Sequence, residues 1–252
     1  MENEVMAERC TTCLNDRITE SAIVSDCLPV RAFGNHSDAR VKVATVGLNP
    51  ALNEFRSPGG WKPEALRLAM VDDYKRDRAN LTDDNVKDAR TRRENYFCEV
   101  RRKPHSYFER LNELLQTVNA TWSYKAGSAV HCDLVACATK LAWSHLSARV
   151  ASKLAENCRQ HFLKTLSQIP SGACLLLNGA FVFGELCRQG LYMKLDRGPE
   201  PICPEPLLLV WRGTIVLRSG KRQSFCAWSV PVRYLQLLQE KNLASWLRRH
   251  CQ

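Results

Sequence analysis

The chain has 252 residues, of which 45% are hydrophobic and 25% charged, enough to bury a substantial core and too apolar for extended disorder. No apolar run approaches the roughly 20 residues that span a bilayer, and Met-Glu-Asn-Glu-Val lacks the positive flank and apolar stretch of a signal peptide, so no membrane association and an intracellular, cytoplasmic setting are expected. Thirty-six Lys+Arg against 26 Asp+Glu leave a net charge of +10, which suits a polyanionic partner such as nucleic acid and equally a basic protein kept soluble by its charge.

In chain order, residues 1–40 carry Cys10-Thr-Thr-Cys13 within polar, turn-rich sequence. Val41 to Val46 is a β-branched run ending at Gly47, the pattern of a buried strand meeting a loop. Residues 51–104 are mostly charged, with a Ser57-Pro-Gly-Gly60 patch and a basic stretch from Arg90 to Lys103 whose interleaved Tyr96 and Phe97 suit a track for a nucleic-acid backbone and equally a solvated helix face. Phe108, Leu111, Leu114, Leu115 and Val118 recur at helical spacing over Tyr107–Val118. Val130 to Ala138 reads as a second strand, Ala151 to Ile169 as an amphipathic helix and Ala173 to Leu177 as a third strand. A short helix to about Gln189, a Pro-rich loop (Pro199 to Pro206), β-rich sequence from Leu207 to Leu217, a last strand at Phe225–Val230 and a closing helix over Val232–His250 complete the chain. Alternating strands and helices imply one domain with a mostly parallel sheet covered on both faces, and in such sheets ligands bind beyond the carboxyl ends of the strands.

Twelve cysteines without a secretory signal point to a metal or cluster site rather than disulfides. Cys174, before a Leu-Leu-Leu run, and Cys226, in Ser-Phe-Cys-Ala-Trp, read as core residues, since free cysteine packs as a small hydrophobe. The Cys10/Cys13 pair with the distant Cys137 and Cys158 is a reasonable ligand set for zinc or a [4Fe–4S] cluster. Gly47-Leu48-Asn49-Pro50 lets backbone approach a ligand and presents a polar side chain on a stiffened turn, although Asn-Pro also serves as a plain strand-ending turn.

Together these motifs resemble the uracil-DNA glycosylase superfamily, in particular its iron–sulfur branch, over about residues 8–235. The shared order is Cys10-x-x-Cys13, a strand into the Gly47-to-Pro50 loop, a second strand ending in a cysteine (Asp133-Leu-Val-Ala-Cys137) and a cysteine on the next helix, in Glu156-Asn-Cys158. The resemblance implies a three-layer α/β/α sandwich with a short, mostly parallel central sheet. It also implies a [4Fe–4S] cluster on Cys10, Cys13, Cys137 and Cys158, preferred over zinc, tying the N-terminal segment 8–40 to the domain. Cys27 or Cys132 stand as substitutes for Cys158, because the interval from Cys137 is longer than in relatives.

The resemblance further implies DNA as partner, with no obligate protein partner, and monofunctional hydrolysis of a pyrimidine N-glycosidic bond. Asn49 would position the water that attacks C1′, with Gly47 and Leu48 lining the base site and Phe55, or Trp61 next, stacking on the flipped base. The iron–sulfur branch usually has Gly-Glu-Ala-Pro at this loop, so the Asn-bearing version looks like that of mismatch-specific and single-strand-selective relatives. No lysine stands where Schiff-base chemistry would place one, so β-elimination is not expected.

Uracil-removing relatives carry Asn where this chain has Asp133. A carboxylate only accepts hydrogen bonds, so it would repel uracil O4 and pair with the exocyclic amine of cytosine. Excising ordinary cytosine would destroy the host's own DNA; a modified cytosine of invading phage DNA would give this specificity a purpose. Two alternatives stay open: Asp133 kept protonated by burial would donate as well as accept and restore uracil, or it is structural, bonding His131 or a backbone amide. The superfamily's His-Pro-Ser-like loop is matched by Ala227-Trp-Ser-Val-Pro-Val-Arg233, without histidine. There Ser229 would contact phosphate, Val230, Val232 or Arg233 would wedge into the minor groove, and His131 would take part of the missing histidine's role. Two rival readings stand beside it: a non-catalytic binder of modified DNA on the same fold, and a zinc-stabilised enzyme acting on an unrelated small substrate.

Overall fold

The computed structural model describes residues 8, 10–55, 68–98, 105–188 and 192–251. The chain is α/β and forms two compact units, Met1–Asn35 with Leu48–Lys103 and Asp133–Thr165, and His36–Gly47 with Pro104–Cys132 and Leu166–Gln252.

In the first unit, the N-terminal segment is stitched to the stretch after Asp133 by backbone bonds: Val24 N–H to Ala138 O, Val30 N–H to Ala136 O and Lys140 N–H to Ala22 O, at 3.0, 2.7 and 2.8 Å. This unit also holds the two-residue strand β1 (Ala32–Phe33) and helix α1 (Asp83–Glu94). Helix α1 lies in sequence that reads only as charged. Its start is fixed by a reciprocal cap, Asn85 N–H to Thr82 Oγ1 at 3.3 Å and Thr82 N–H to Asn85 Oδ1 at 3.1 Å. Asp83 and Asp84 in its first turn and Arg92 and Arg93 in its last complement the helix dipole, while Val86 and Ala89 pack on Leu28, Ala69 and Leu81.

The second unit is built on a mixed sheet whose strands run β3 (Ala129–Asp133), β2 (Val43–Gly47), β4 (Cys174–Asn178), β7 (Arg222–Trp228), β6 (Leu208–Val216), β5 (Tyr192–Cys203). Strands β2, β4 and β7 are parallel neighbours, and β2 and β4 are buried at every position, which is why they read as continuous apolar runs. The β7–β6 and β6–β5 pairs are antiparallel, so the expected mostly parallel sheet gives way to a meander at one edge. Strand β5 runs through Pro199 to Cys203, the first part of the stretch expected as a Pro-rich loop. It bonds to β6 with three register shifts along its length, and an edge strand with such irregularities tolerates Pro199 and Pro201 because a missing N–H costs no ladder bond there.

Helix α2 (Ser106–Val118) buries the five apolar residues expected of it and packs on α5 (Leu237–His250). The closing helix is shorter than expected: a 3-10 turn covers Val232–Tyr234, and Gln239 marks the start of α5 by accepting Gln236 N–H at 2.9 Å. Helices α3 (Ala148–Gln168) and α4 (Ala180–Arg188) match the expected segments. Gly179, at φ +105°, turns the chain after β4, and a Cβ there would meet Pro231 Cγ at 2.9 Å.

Candidate functional site

Three cysteines far apart in sequence converge in the first unit. Cys13 sits in the N-terminal turns, Cys137 four residues after β3, and Cys158 on α3, in one apolar cluster with Ile23, Val135, Leu154 and Ala155. Their sulfurs lie within 4.8 Å of one another, Cys13 and Cys158 at 3.8 Å. Arg78, only 2% exposed, points Nη1 at Cys137 Sγ from 3.8 Å and is anchored through Nη2 to the carbonyls of Val24, at 2.9 Å, and Cys27. Hydrogen bonds from Cys13 and Cys158, reinforced by the Arg78 charge, hold the Cys137 thiol well below its ordinary range. Cys13 is pushed up by its bond to Cys137, and Cys158 by its bonds to Cys13 and Cys137. One favoured thiolate with two adjacent thiols is a metal-binding arrangement.

The donor set fits a metal. Sulfurs about 2.3 Å from a tetrahedral zinc ion lie about 3.8 Å apart, the Cys13–Cys158 separation. Cys10 is partly exposed, with Sγ 3.3 Å from Thr12 Oγ1, and stands outside the converging group. Cys158 is in that group; Cys27 and Cys132, both fully buried, are not.

The loop after β2 has a defined side-chain orientation. Asn49 Nδ2 donates to Pro50 O and to Thr139 Oγ1, both at 3.1 Å, and Thr139 in turn donates to Leu141 O at 2.6 Å. A carbonyl can only accept, so the Pro50 contact fixes which end of the amide is nitrogen. Among the described residues Asn49 Oδ1 accepts no hydrogen bond, so the acceptor end of a half-buried amide remains for a solvent molecule. Leu48 is half-buried, its carbonyl accepting Val135 N–H at 2.8 Å, and Gly47 closes β2 as a buried residue.

Asp133 is buried at 4% exposure, and its backbone N–H points at Arg31 O from 3.4 Å. Phe55 is 0% exposed, so every face of its ring is covered and base stacking would require a neighbour to move. Trp61 and the Ser57-to-Gly60 patch lie outside the described residues.

In the second unit, His131 is a core residue: 2% exposed, with Nδ1 2.7 Å from Thr45 Oγ1, which also meets Tyr124 OH at 2.6 Å. Tyr107 and Phe108 meet its ring edge-on. Ser229 braces the backbone, its Oγ accepting Leu209 N–H at 3.0 Å. Val230 is half-buried and Arg233 exposed, its guanidinium over the Tyr234 ring. Val232 cannot be a wedge: it is fully buried and its N–H donates to Asn178 Oδ1 at 2.9 Å. Asn178 also accepts from Trp228 Nε1 at 3.1 Å and donates to Tyr107 OH at 2.8 Å, locking the loop after β7 to the end of β4.

Of the basic stretch from Arg90, which is described through Cys98, Arg93, Tyr96 and Phe97 are buried and the rest partly or fully exposed; residues 99–103 lie outside the described residues. Arg93 forms a buried ion pair with Glu8 at 3.0 Å, and Arg92 pairs with Asp73 and Asp88. Tyr96 and Phe97 are buried against each other and Tyr96 against Phe33, so these rings are core residues rather than a stacking track for bases. Sequence reasoning missed Thr139, Arg78 and Asn178. Thr139 could have been suspected from its place two residues after Cys137; Arg78 sits in an unpatterned charged run that gave no signal. No protein-family model, no curated protein and no solved structure matches this chain.

Proposed function

We propose that this chain is a monofunctional DNA glycosylase, built as the α/β/α sandwich of the uracil-DNA glycosylase superfamily, that removes a flipped-out modified cytosine and leaves an abasic site. The observation that carries the reading is the fixed amide of Asn49, whose nitrogen is tied to Pro50 O and Thr139 while its oxygen accepts no hydrogen bond among the described residues. A water donating one hydrogen to Asn49 Oδ1 keeps a lone pair for C1′ of the deoxyribose. An amide is a weak base, so Asn49 orients the water, and the barrier falls chiefly through charge stabilisation of the sugar and the departing base. The water ends with its oxygen on C1′, and the base leaves with the bonding electron pair and takes up a proton.

Asp133 supports the choice of base. A buried carboxylate accepts from the N4 amine of a cytosine and finds no donor on uracil O4. The role in defence against modified phage DNA rests on that preference. A [4Fe–4S] cluster on Cys13, Cys137 and Cys158 would need Cys10, which stands outside the converging group, as its fourth ligand, and would brace the segment preceding the catalytic loop. It would be structural, with no part in the bond cleavage. The 3.8 Å sulfur separation favours a second reading of this centre, a single zinc ion. Iron and zinc analysis with absorbance near roughly 400 nm separates the two.

The enclosure of His131 by Thr45, Tyr107 and Phe108 favours one rival, a binder of modified DNA without turnover. The test is incubation with duplex and single-stranded oligonucleotides carrying uracil, cytosine or hydroxymethylcytosine, followed by alkaline cleavage at abasic sites. Abasic product from hydroxymethylcytosine, abolished by Asn49→Ala, is expected. Activity on uracil alone overturns the base assignment, and tight binding without product establishes the rival.

A further inference from the structure

The second unit contains another convergence of three cysteines, two of which read in the sequence as plain core residues. Cys174 begins β4, Cys226 lies on β7 and Cys251 follows α5. Cys251 Sγ stands 3.4 Å from Cys174 Sγ and 3.2 Å from Cys226 Sγ, and the three ligand atoms lie within 4.8 Å of one another. The register explains the meeting on the sheet. Cys226 is the partner of Leu176 in the parallel β4–β7 pair, and Cys174, two residues earlier, shares that face. The β6–β7 pairing sets Arg212 opposite Cys226, and its positive charge acts on both Cys174 and Cys226.

We infer that Cys174, Cys226 and Cys251 form a second metal site, which takes one divalent thiophilic cation, zinc being the probe, and clasps the end of α5 to the sheet. Three arguments carry it. Three sulfurs from three separate elements meet at one point, whereas a cysteine used as a small hydrophobe needs only apolar neighbours. Tetrahedral zinc–thiolate bonds of about 2.3 Å set sulfurs about 3.8 Å apart, so Cys251 Sγ, at 3.4 and 3.2 Å from its two neighbours, need withdraw from each by only about half an ångström. Charge also comes close to balance: three thiolates meet one divalent ion, and the exposed Arg212, opposite Cys226 in the β6–β7 pairing, adds a positive charge nearby. Binding releases the thiol protons to solvent and involves no electron transfer.

The site is independent of the glycosylase reading. The test is elemental analysis of the full-length protein purified under reducing conditions with zinc, beside Cys251→Ser and Cys226→Ser. Each variant is expected to lose about one equivalent of zinc per chain while any iron, and the metal held by Cys13, Cys137 and Cys158, stays unchanged. Circular dichroism verifies that each variant folds. Equal metal content in wild type and folded Cys251→Ser overturns the proposal. So does a non-reducing mass spectrum in which the protein carries a Cys251 disulfide and no zinc at this site.

Discussion

Arg78 is the buried charge on which the first cysteine centre depends, and replacing it with methionine removes the charge while keeping much of the volume. With Nη1 3.8 Å from Cys137 Sγ, a full charge pair in an effective dielectric of about 20 is worth roughly 4 kcal/mol. Metal coordination withdraws much of the thiolate charge, so the loss in the loaded protein is smaller; outer-shell substitutions typically weaken a metal by about 10–100-fold. Arg78→Met is therefore expected to lower metal affinity about 10–100-fold. It also removes the donor to Val24 O and Cys27 O, two carbonyls whose loss of a partner costs about 1–3 kcal/mol each. Arg78→Lys, which keeps the charge and loses the fork, should fall between. The assay is competition for zinc against a chromophoric chelator at fixed pH, with urea unfolding of the metal-free forms run in parallel. Unchanged metal affinity in a folded Arg78→Met protein would refute the electrostatic role.

Two further substitutions test other parts of the structure. Thr139→Val deletes the oxygen that holds Asn49 Nδ2; turnover on the preferred oligonucleotide should fall ~10–100-fold with KM little changed and Thr139→Ser restoring it, and equal loss of stability and turnover would instead make Thr139 merely structural. Asn178→Ala orphans the buried donors of Trp228 and Val232 and should destabilise by about 3–5 kcal/mol in urea unfolding. Asn178→Asp keeps both acceptor contacts at the cost of a buried charge, so it should lose less stability than Asn178→Ala; equal losses would show that packing, not these bonds, fixes the position.

The legible parts of the fold were those with strong hydrophobic patterning. Strands β2 and β4 are buried at every residue and read as such, and α2 presents Phe108, Leu111, Leu114, Leu115 and Val118 at helical spacing. Helix α1 escaped notice because it buries only Val86, Ala89 and the paired Arg93, and its cap, not an apolar stripe, marks its start. Strand β5 was hidden by Pro199 and Pro201, which an edge strand accommodates and a central strand would not. Cys13, Cys137 and Cys158 came together through a resemblance in motif order, whereas Cys174, Cys226 and Cys251 meet only through sheet register and the end of α5, which no local pattern reveals. Tyr96 and Phe97 illustrate the converse: aromatics interleaved with arginines look like a nucleic-acid track until their burial is known.

The most direct test of the central claim is a single-turnover assay on an oligonucleotide with one hydroxymethylcytosine, comparing wild type with Asn49→Ala and Asp133→Asn. Abasic sites formed by wild type, lost in Asn49→Ala and shifted toward uracil in Asp133→Asn, are the predicted result. No abasic product from any pyrimidine, with Asn49→Ala indistinguishable from wild type, would contradict it.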